Sequence, residues 1–292
     1  MTATAAILSD RSVLEIAGEE RASFLQGLIT NDVAGLGAGQ ACFAGLLSPQ
    51  GKILFDFFAI NAGDTILLDC PAAAAADLLK RLTFYKLRAK VTLADASDRW
   101  RVAAAWGEGA GEALKPAASI AFQDPRLPAL GFRGLIEASE ALEFGADSVG
   151  YDAMRIAAAV PEGGKDYAYG DTFPHEACFD LLNGVSFTKG CYVGQEVVSR
   201  MQHRGTARTR VLGVSGAAPL PVGGADILAD GLAVGRLGSV AGGRGIALAR
   251  LDRVSEALAK GQPLSAGGVA VTLSAPAWAS YSLDGGGQAA AH

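Results

Sequence analysis

The most reactive arrangement in the sequence lies around Cys191, in the run KGCYVGQE that begins at Lys189. The pattern predicts a helix that starts near Gly194 to Gln195. A neighbouring cation and the unpaired backbone NH groups of a helix start both favour a thiolate over a thiol. We therefore predict that Cys191 is a reactive, catalytic thiol. The alternative is burial as a small apolar residue, the common fate of free cysteine.

A second candidate catalytic group is Asp56, in the run ILFDFFAI. Strand alternation places Asp56 on the same face as Leu54, Phe58 and Ile60, which is an unusual position for a charge. A carboxylate among apolar neighbours in a cleft is a candidate base or ligand holder. A buried aspartate satisfied by backbone NH groups is the equally weighted alternative.

Positive charge is concentrated in one stretch of an acidic chain. The 25 basic and 30 acidic residues give a net charge of −5, yet residues 189–210 carry five cations and one anion. Anions such as a polyglutamate tail or an acidic partner surface suit the four arginines of this stretch, Arg200, Arg204, Arg208 and Arg210. A solvated face is the alternative, and we favour it for the last two and for His203. The overall charge argues against direct nucleic-acid binding through bulk positive charge.

The four cysteines are predicted to be free thiols, because their spacing fits neither a disulfide framework nor a zinc module. His175, Cys178 and Cys191 are potential metal ligands, but we expect no autonomous metal site. An iron–sulfur cluster shared transiently with a partner would need only one thiolate from this chain, and Cys191 could supply it. The N-terminal residues show neither an export leader nor a membrane span, so we expect a cytoplasmic protein without a membrane partner.

The apolar patterns predict an α+β fold followed by a small antiparallel barrel. Helices are indicated in ERASFLQGLI, AAAAADLLKRL and YDAMRIAAAV, and a strand in KVTL. The turns PQGK and NAGD join three predicted strands, FAGLLS, ILFDFFAI and TILLD. From residue 211 onward, short apolar runs alternate with turn signals, as in a β-barrel. We predict an α/β domain at 1–205, a barrel domain at 206–284 and a flexible tail at 285–292.

The motif KGCYVGQE, followed by VVSRMQHRG, resembles the signature of the YgfZ family, folate-binding proteins linked to iron–sulfur cluster assembly and repair. The runs FLQGLITNDV, PQGKILFDF and FPHEACFDLLNGVSFTKGC look like the same family in the same order. The resemblance therefore spans most of residues 10–250.

This resemblance implies the fold of the aminomethyltransferase (T protein) of the glycine cleavage system, a ring of α/β subdomains around a folate channel with a C-terminal β-barrel. It implies tetrahydrofolate, or a derivative, as the cofactor. Asp56 aligns with the aspartate that contacts folate in the aminomethyltransferases, and Phe55 replaces their second acid. Lys189, Arg200 and Arg204 are then candidates for the glutamate tail. Tyr151 is a candidate for ring stacking, with core packing as its alternative.

The leading functional hypothesis is a tetrahydrofolate-binding accessory factor that uses Cys191 to maintain iron–sulfur clusters or transfer them to client enzymes. Its partners would be iron–sulfur assembly proteins or those clients. The alternative is a true aminomethyltransferase acting with a lipoyl carrier protein. Ala157 argues against it, because it stands where those enzymes carry the glutamate that holds the pterin. A third hypothesis, an effect on tRNA thiomethylation, would be indirect.

Overall fold

The computed structural model describes residues 3–140, 144–205 and 207–283. The chain divides into two compact units: a first unit of Met1–Tyr151 with Leu182–Gln195, and a second unit of Asp152–Leu181 with Glu196–His292. The sequence prediction placed residues 152–181 in the N-terminal domain, whereas this division groups them with the barrel strands. The tail predicted at 285–292 lies outside the described residues.

The first unit contains two antiparallel sheets. A five-stranded sheet has the order β3-β4-β5-β2-β6, and a four-stranded sheet has the order β1-β7-β9-β8. The strands are β1 (Thr4–Ile7), β2 (Arg11–Ala17), β3 (Ala41–Leu47), β4 (Ile53–Asn61), β5 (Thr65–Pro71), β6 (Thr92–Asp95), β7 (Trp100–Trp106), β8 (Ile120–Gln123) and β9 (Phe132–Glu137). The helices are α1 (Arg21–Gln26), α2 (Ala72–Lys86), α3 (Ala110–Leu114) and a single 3₁₀ turn at Pro128–Leu130. The three-strand meander expected from the PQGK and NAGD turns is confirmed as β3, β4 and β5.

The two faces of the five-stranded sheet differ in chemistry. Phe57 and Ala59 of β4 pack in an apolar core with Leu78 and Leu82 of α2. Alternation along β4 turns Asp56 to the opposite face, together with Phe58. One face is therefore an ordinary hydrophobic core, and the other carries buried charge.

The four-stranded sheet has an apolar face of its own. Ala103 and Ala105 of β7 and Ile136 of β9 pack against Ala110 and Leu114 of α3. The sequence prediction gave only short mixed pieces for this region, because its prolines interrupt every longer pattern.

The second unit contains a closed antiparallel barrel with the strand order β10-β13-β12-β11-β14-β15, which confirms the predicted barrel. Its elements are β10 (Thr209–Gly216), β11 (Asp226–Ala229), β12 (Leu232–Ala241), β13 (Arg244–Arg250), α6 (Leu251–Ala259), β14 (Leu264–Ala266) and β15 (Val269–Ser274). Helices α4 (Ser148–Ala157) and α5 (Gln195–Arg204) each include a unit boundary. Within the three described ranges, every helix is too short or too polar to cross a bilayer.

Segment 152–181 joins the second unit through a fully buried arginine. Arg155 lies 2.6 Å from Asp152 and 2.7 Å from Asp166, and its Nη2 donates to the Ser239 hydroxyl of β12 at 2.8 Å. Its own exposure is 0%. The hydrogen bond to Ser239 connects α4 to a barrel strand, a long-range contact that no local pattern reveals.

Candidate functional site

Cys191 is the reachable thiol of this chain. It is exposed, whereas Cys42, Cys70 and Cys178 are buried. Burial raises the pKa of the Cys42 and Cys70 thiols to about 12 and raises the pKa of Cys178 as well. These three therefore stay protonated at neutral pH, and Cys191 is the cysteine of the four that another molecule can reach.

The loop that carries Cys191 is fixed on one side by Lys189. Its ammonium donates to three backbone carbonyls, those of Gln26 at 2.7 Å, Ile29 at 2.7 Å and Asn31 at 2.9 Å. An ammonium has three N–H donors, so all three have a protein acceptor. Burial lowers the pKa of Lys189 to about 8. Lys189 therefore ties the segment after α1 to the loop before Cys191, a role that differs from the one predicted for it, a cation that binds the glutamate tail of folate.

The same segment makes further hydrogen bonds to the strand and the loop on either side of it. The Thr30 hydroxyl donates to the Gly184 carbonyl at 2.6 Å and accepts from the Gly45 NH of β3 at 2.8 Å. The Asn31 amide donates to the carbonyls of Phe43 and Asn183 at 2.7 and 2.6 Å. The run LITNDV thus lies against both β3 and the approach to Cys191.

Gly194 fixes the other side of the loop. Its φ is +82°, and a Cβ at this position would lie 2.6 Å from the Ser48 carbonyl oxygen. That oxygen also accepts the Gly51 NH within the PQGK turn. Only glycine combines this conformation with so close an approach. Cys191 therefore sits between two anchors, Lys189 and Gly194, that hold its loop against the α1–β3 segment and the β3–β4 turn.

Asp56 is buried, at 4% exposure, on the charged face of the five-stranded sheet. It pairs in register with Gly45 of β3, and the neighbouring pair on the same face is Phe43 with Phe58, whose rings lie 5.3 Å apart. The expected buried carboxylate among apolar neighbours is present. Its catalytic or ligand-holding role stays a prediction.

Arginines surround the Phe58 ring. The guanidinium carbons of Arg126 and Arg133 lie 4.8 and 4.3 Å from its centroid. Arg133 is paired with Asp69 at 2.6 Å and Arg126 with Asp124 at 2.8 Å. Burial alone would raise the pKa of Asp124, but the contact with Arg126 holds that pKa below its usual range. This buried cluster of alternating charges was not anticipated from the sequence.

Tyr151 belongs to this arginine cluster. Its hydroxyl accepts from Arg126 at 2.9 Å and from Arg133 at 3.0 Å, and its ring meets Trp106 edge-on at 6.1 Å. At 4% exposure it is packed as a core residue. Tyr151 could stack on a folate ring only by giving up contacts that the structure shows.

The arginines of the basic stretch have different surroundings. Arg200 and Arg204 of α5 are exposed, and Arg200 forms an ion pair with Glu196 at 2.8 Å. Arg210 is buried and contacts Asp180 at 2.7 Å, so the expectation of a solvated face is wrong for this residue. Arg200 and Arg204 belong to the second unit, whereas Asp56, Tyr151, Lys189 and Cys191 belong to the first.

No group of three or more His, Cys, Asp or Glu side chains in the described part of the chain could hold a metal ion. The ring of His175, one of the candidate ligands, contacts the side-chain oxygen of Gln202 at 2.9 Å through Nε2.

Two family models match parts of the chain. The GCVT N-terminal domain family matches residues 2–142, and the CAF17 C-terminal beta-barrel domain family matches residues 208–281. The human iron-sulfur cluster assembly factor IBA57, mitochondrial, is 34% identical over 275 residues, covering 85% of this chain and 77% of its own length. The chain belongs to the IBA57 family. An IBA57 homolog of Mycosarcoma maydis is also 34% identical, over 70% of this chain.

The chain shares its fold with a glycine-cleavage enzyme. The crystal structure of the glycine cleavage system aminomethyltransferase T from Bartonella henselae matches with a TM-score of 0.73 over 95% of this chain and 86% of its own, at 16% identity. The aminomethyltransferase-like fold with a C-terminal barrel is therefore confirmed. The chain spans only 55% of the length of the Mycosarcoma maydis IBA57 homolog.

Proposed function

We propose that this chain acts in iron–sulfur cluster assembly by presenting the Cys191 sulfur to a cluster or to a partner that carries one. The observation that carries the proposal is a single exposed thiol on a loop anchored at both ends. Thiolates are the usual ligands of iron–sulfur clusters. The relatives of the IBA57 family are named as cluster assembly factors, which supports the same role here.

The cluster is cargo in this proposal. One loop supplies one thiolate, so the remaining ligands come from an assembly protein or a client enzyme. A fixed loop favours such transfer, because the loop loses little conformational entropy when the partner binds.

The first test replaces Cys191 with serine in cells that lack the wild-type gene. Cys191→Ser is expected to leave the activity of cluster-dependent enzymes at the level of cells without the gene, since a hydroxyl is a far poorer iron ligand than a thiolate. Thr188→Ala, an exposed change in the same loop, is the matched control and should restore activity. Immunoblots check that both variants accumulate equally. Full rescue by Cys191→Ser would remove the proposed role.

We propose in addition that the first unit binds tetrahydrofolate, a carrier of one-carbon units. The match of residues 2–142 to the GCVT N-terminal domain and the aminomethyltransferase-like fold support this. Asp56 fits one requirement, because a carboxylate can accept two N–H groups from a pterin edge beside the Phe43 and Phe58 rings. Asp56 is the residue through which this part of the proposal is tested.

Calorimetric titration with tetrahydrofolate tests that part separately. Asp56→Asn keeps the side-chain shape but loses the charge, and it should weaken binding by about ten- to a hundredfold, the usual effect of losing hydrogen bonds to a charged group. Asp64→Asn, an exposed aspartate in the β4–β5 turn, is the control and should bind as the wild type does. If the wild type shows no binding, the folate assignment fails and the thiol assignment stands alone.

Two features favour assembly over methylene transfer from a lipoyl carrier. Ala157 is exposed and offers a methyl group where the aminomethyltransferases have a carboxylate, and Phe55 replaces their second acid. Membership of the YgfZ family in the narrow sense, a cytoplasmic location and an indirect effect on tRNA thiomethylation stay predictions. The relatives named above include proteins described as mitochondrial.

A further inference from the structure

A second basic stretch lies on and just after helix α2, far from Cys191 in the sequence. Residues 77–90 contain five cations and one anion in a chain whose net charge is −5. Lys90 contacts Glu19 at 3.5 Å. The other four, Lys80, Arg81, Lys86 and Arg88, have no carboxylate partner among the described residues. An acidic chain therefore keeps four unpaired cations on one short segment.

Helix α2 buries one face and leaves the other to solvent. Ala75, Leu78 and Leu82 lie in the apolar core of the first unit. Asp77, Lys80, Arg81 and Phe84 are exposed, and their three- and four-residue spacing places them on a common face. The exposed face is thus continuous and mixes cations with an aromatic ring.

Two large apolar side chains are exposed at the end of this face. Phe84 is 72% exposed and Leu87 is 87% exposed. Leu87 also has a φ of +43°, a conformation that leucine rarely adopts. Scattered apolar residues on a surface are ordinary, but here Phe84 lines a groove and Leu87 lies between two of the unpaired cations in the sequence.

The groove is lined by Phe55, Asp77, Lys80, Arg81 and Phe84 and has a volume of about 470 Å³. Phe55 enters it from β4, so the sheet and the helix both contribute to its wall. A groove of this size holds one apolar side chain and its flanking backbone. Aromatic and arginine side chains are the groups most enriched at protein interfaces.

We propose that this α2 groove binds an acidic protein segment, with an apolar side chain of the partner against Phe55 and Phe84 and its carboxylates against Lys80 and Arg81. Asp77 in the groove would repel phosphate but can accept a backbone NH of a peptide. The proposal is independent of the Cys191 assignment.

The test measures fluorescence anisotropy of a fluorescein-labelled peptide of aspartate and glutamate with one central phenylalanine, titrated with the full chain. Arg81→Glu and Phe84→Ser should each raise Kd about tenfold, and added salt should raise the wild-type Kd further. Two matched controls lie in the second unit. Arg244→Glu makes the same charge change at another exposed arginine, and Leu232→Ser removes a leucine that is 74% exposed, so neither should alter Kd.

Three results with the peptides would overturn the proposal. The first is an absence of saturable binding at millimolar peptide, and the second is equal binding by Arg81→Glu and the wild type. The third is equal binding of a peptide whose phenylalanine is replaced by serine, which would reduce the effect to bulk charge. Vesicles of phosphatidylserine in phosphatidylcholine are assayed in parallel. Tighter binding to these vesicles that Phe84→Ser abolishes would assign the surface to a membrane instead of a protein.

Discussion

Lys189→Met should lower the free energy of unfolding by about 3 kcal/mol, because it leaves the carbonyls of Gln26, Ile29 and Asn31 without their shared donor inside the protein. Methionine has nearly the length of lysine, so little volume is lost. Urea denaturation measures the change. Lys80→Met, at an exposed lysine without an ion pair, is the control and should change stability by less than about 0.5 kcal/mol.

The stabilities of the wild type and Lys189→Met should also depend differently on pH. The pKa of Lys189 falls from its ordinary value of 10.5 to about 8 in the folded chain, through burial. Between these values the unfolded chain holds a proton that the folded chain has released, so this group adds stability as the pH rises through that window. The stability difference between the wild type and Lys189→Met should therefore grow from about pH 8 to about pH 10.5. A difference that shrinks over this range would contradict the buried position of the ammonium.

Asp69→Asn should destabilise the first unit by about 3 to 5 kcal/mol, the usual cost of removing one partner from a buried ion pair. Asp69 is 1% exposed and accepts from Arg11 and Arg133, each at 2.6 Å. The substitution leaves two guanidinium groups buried against Phe58 with less negative charge to balance them. Backbone amides of the five-stranded sheet should exchange hydrogen faster in this variant, because Asp69 lies in β5 of that sheet.

Asp64→Asn is the matched control for this variant, since it makes the same chemical change at an exposed aspartate. It should leave the urea midpoint where the wild type has it. If Asp69→Asn and Asp64→Asn unfold at the same urea concentration, the arginine cluster does not hold the charged face together.

The sequence predicted those parts of the fold in which local pattern and tertiary packing agree. The strands β3, β4 and β5 follow from alternation interrupted by turn residues, and the barrel follows from short apolar runs between glycines. Strand β14 was missed because its three residues, Leu264–Ala266, are too few to show a period. Residues 152–181 are joined to the barrel strands by long-range contacts, such as the bond from Arg155 to Ser239, which spans 84 residues of sequence.

The sequence predicted individual residues of the candidate site but not the contacts between them. The motif around Cys191 marked the exposed thiol, and alternation marked Asp56 as a buried charge. The role of Lys189 was not predictable, because its acceptors lie about 160 residues earlier in the chain. The burial of Asp69 could have been predicted, because Asp69, like Asp56, is a charged residue within an apolar strand. A charge count along the whole chain would also have revealed the basic face of α2.

The most direct test of the central claim is the rate at which iodoacetamide modifies each of the four cysteines in the folded protein, followed by peptide mass spectrometry. Cys191 should be modified at least about a hundredfold faster than Cys42, Cys70 or Cys178, since those three are buried thiols whose reaction requires local opening. In urea all four should react at similar rates. Modification of Cys191 in the folded protein that is as slow as that of the buried three would show that its sulfur is not available to a cluster or a partner.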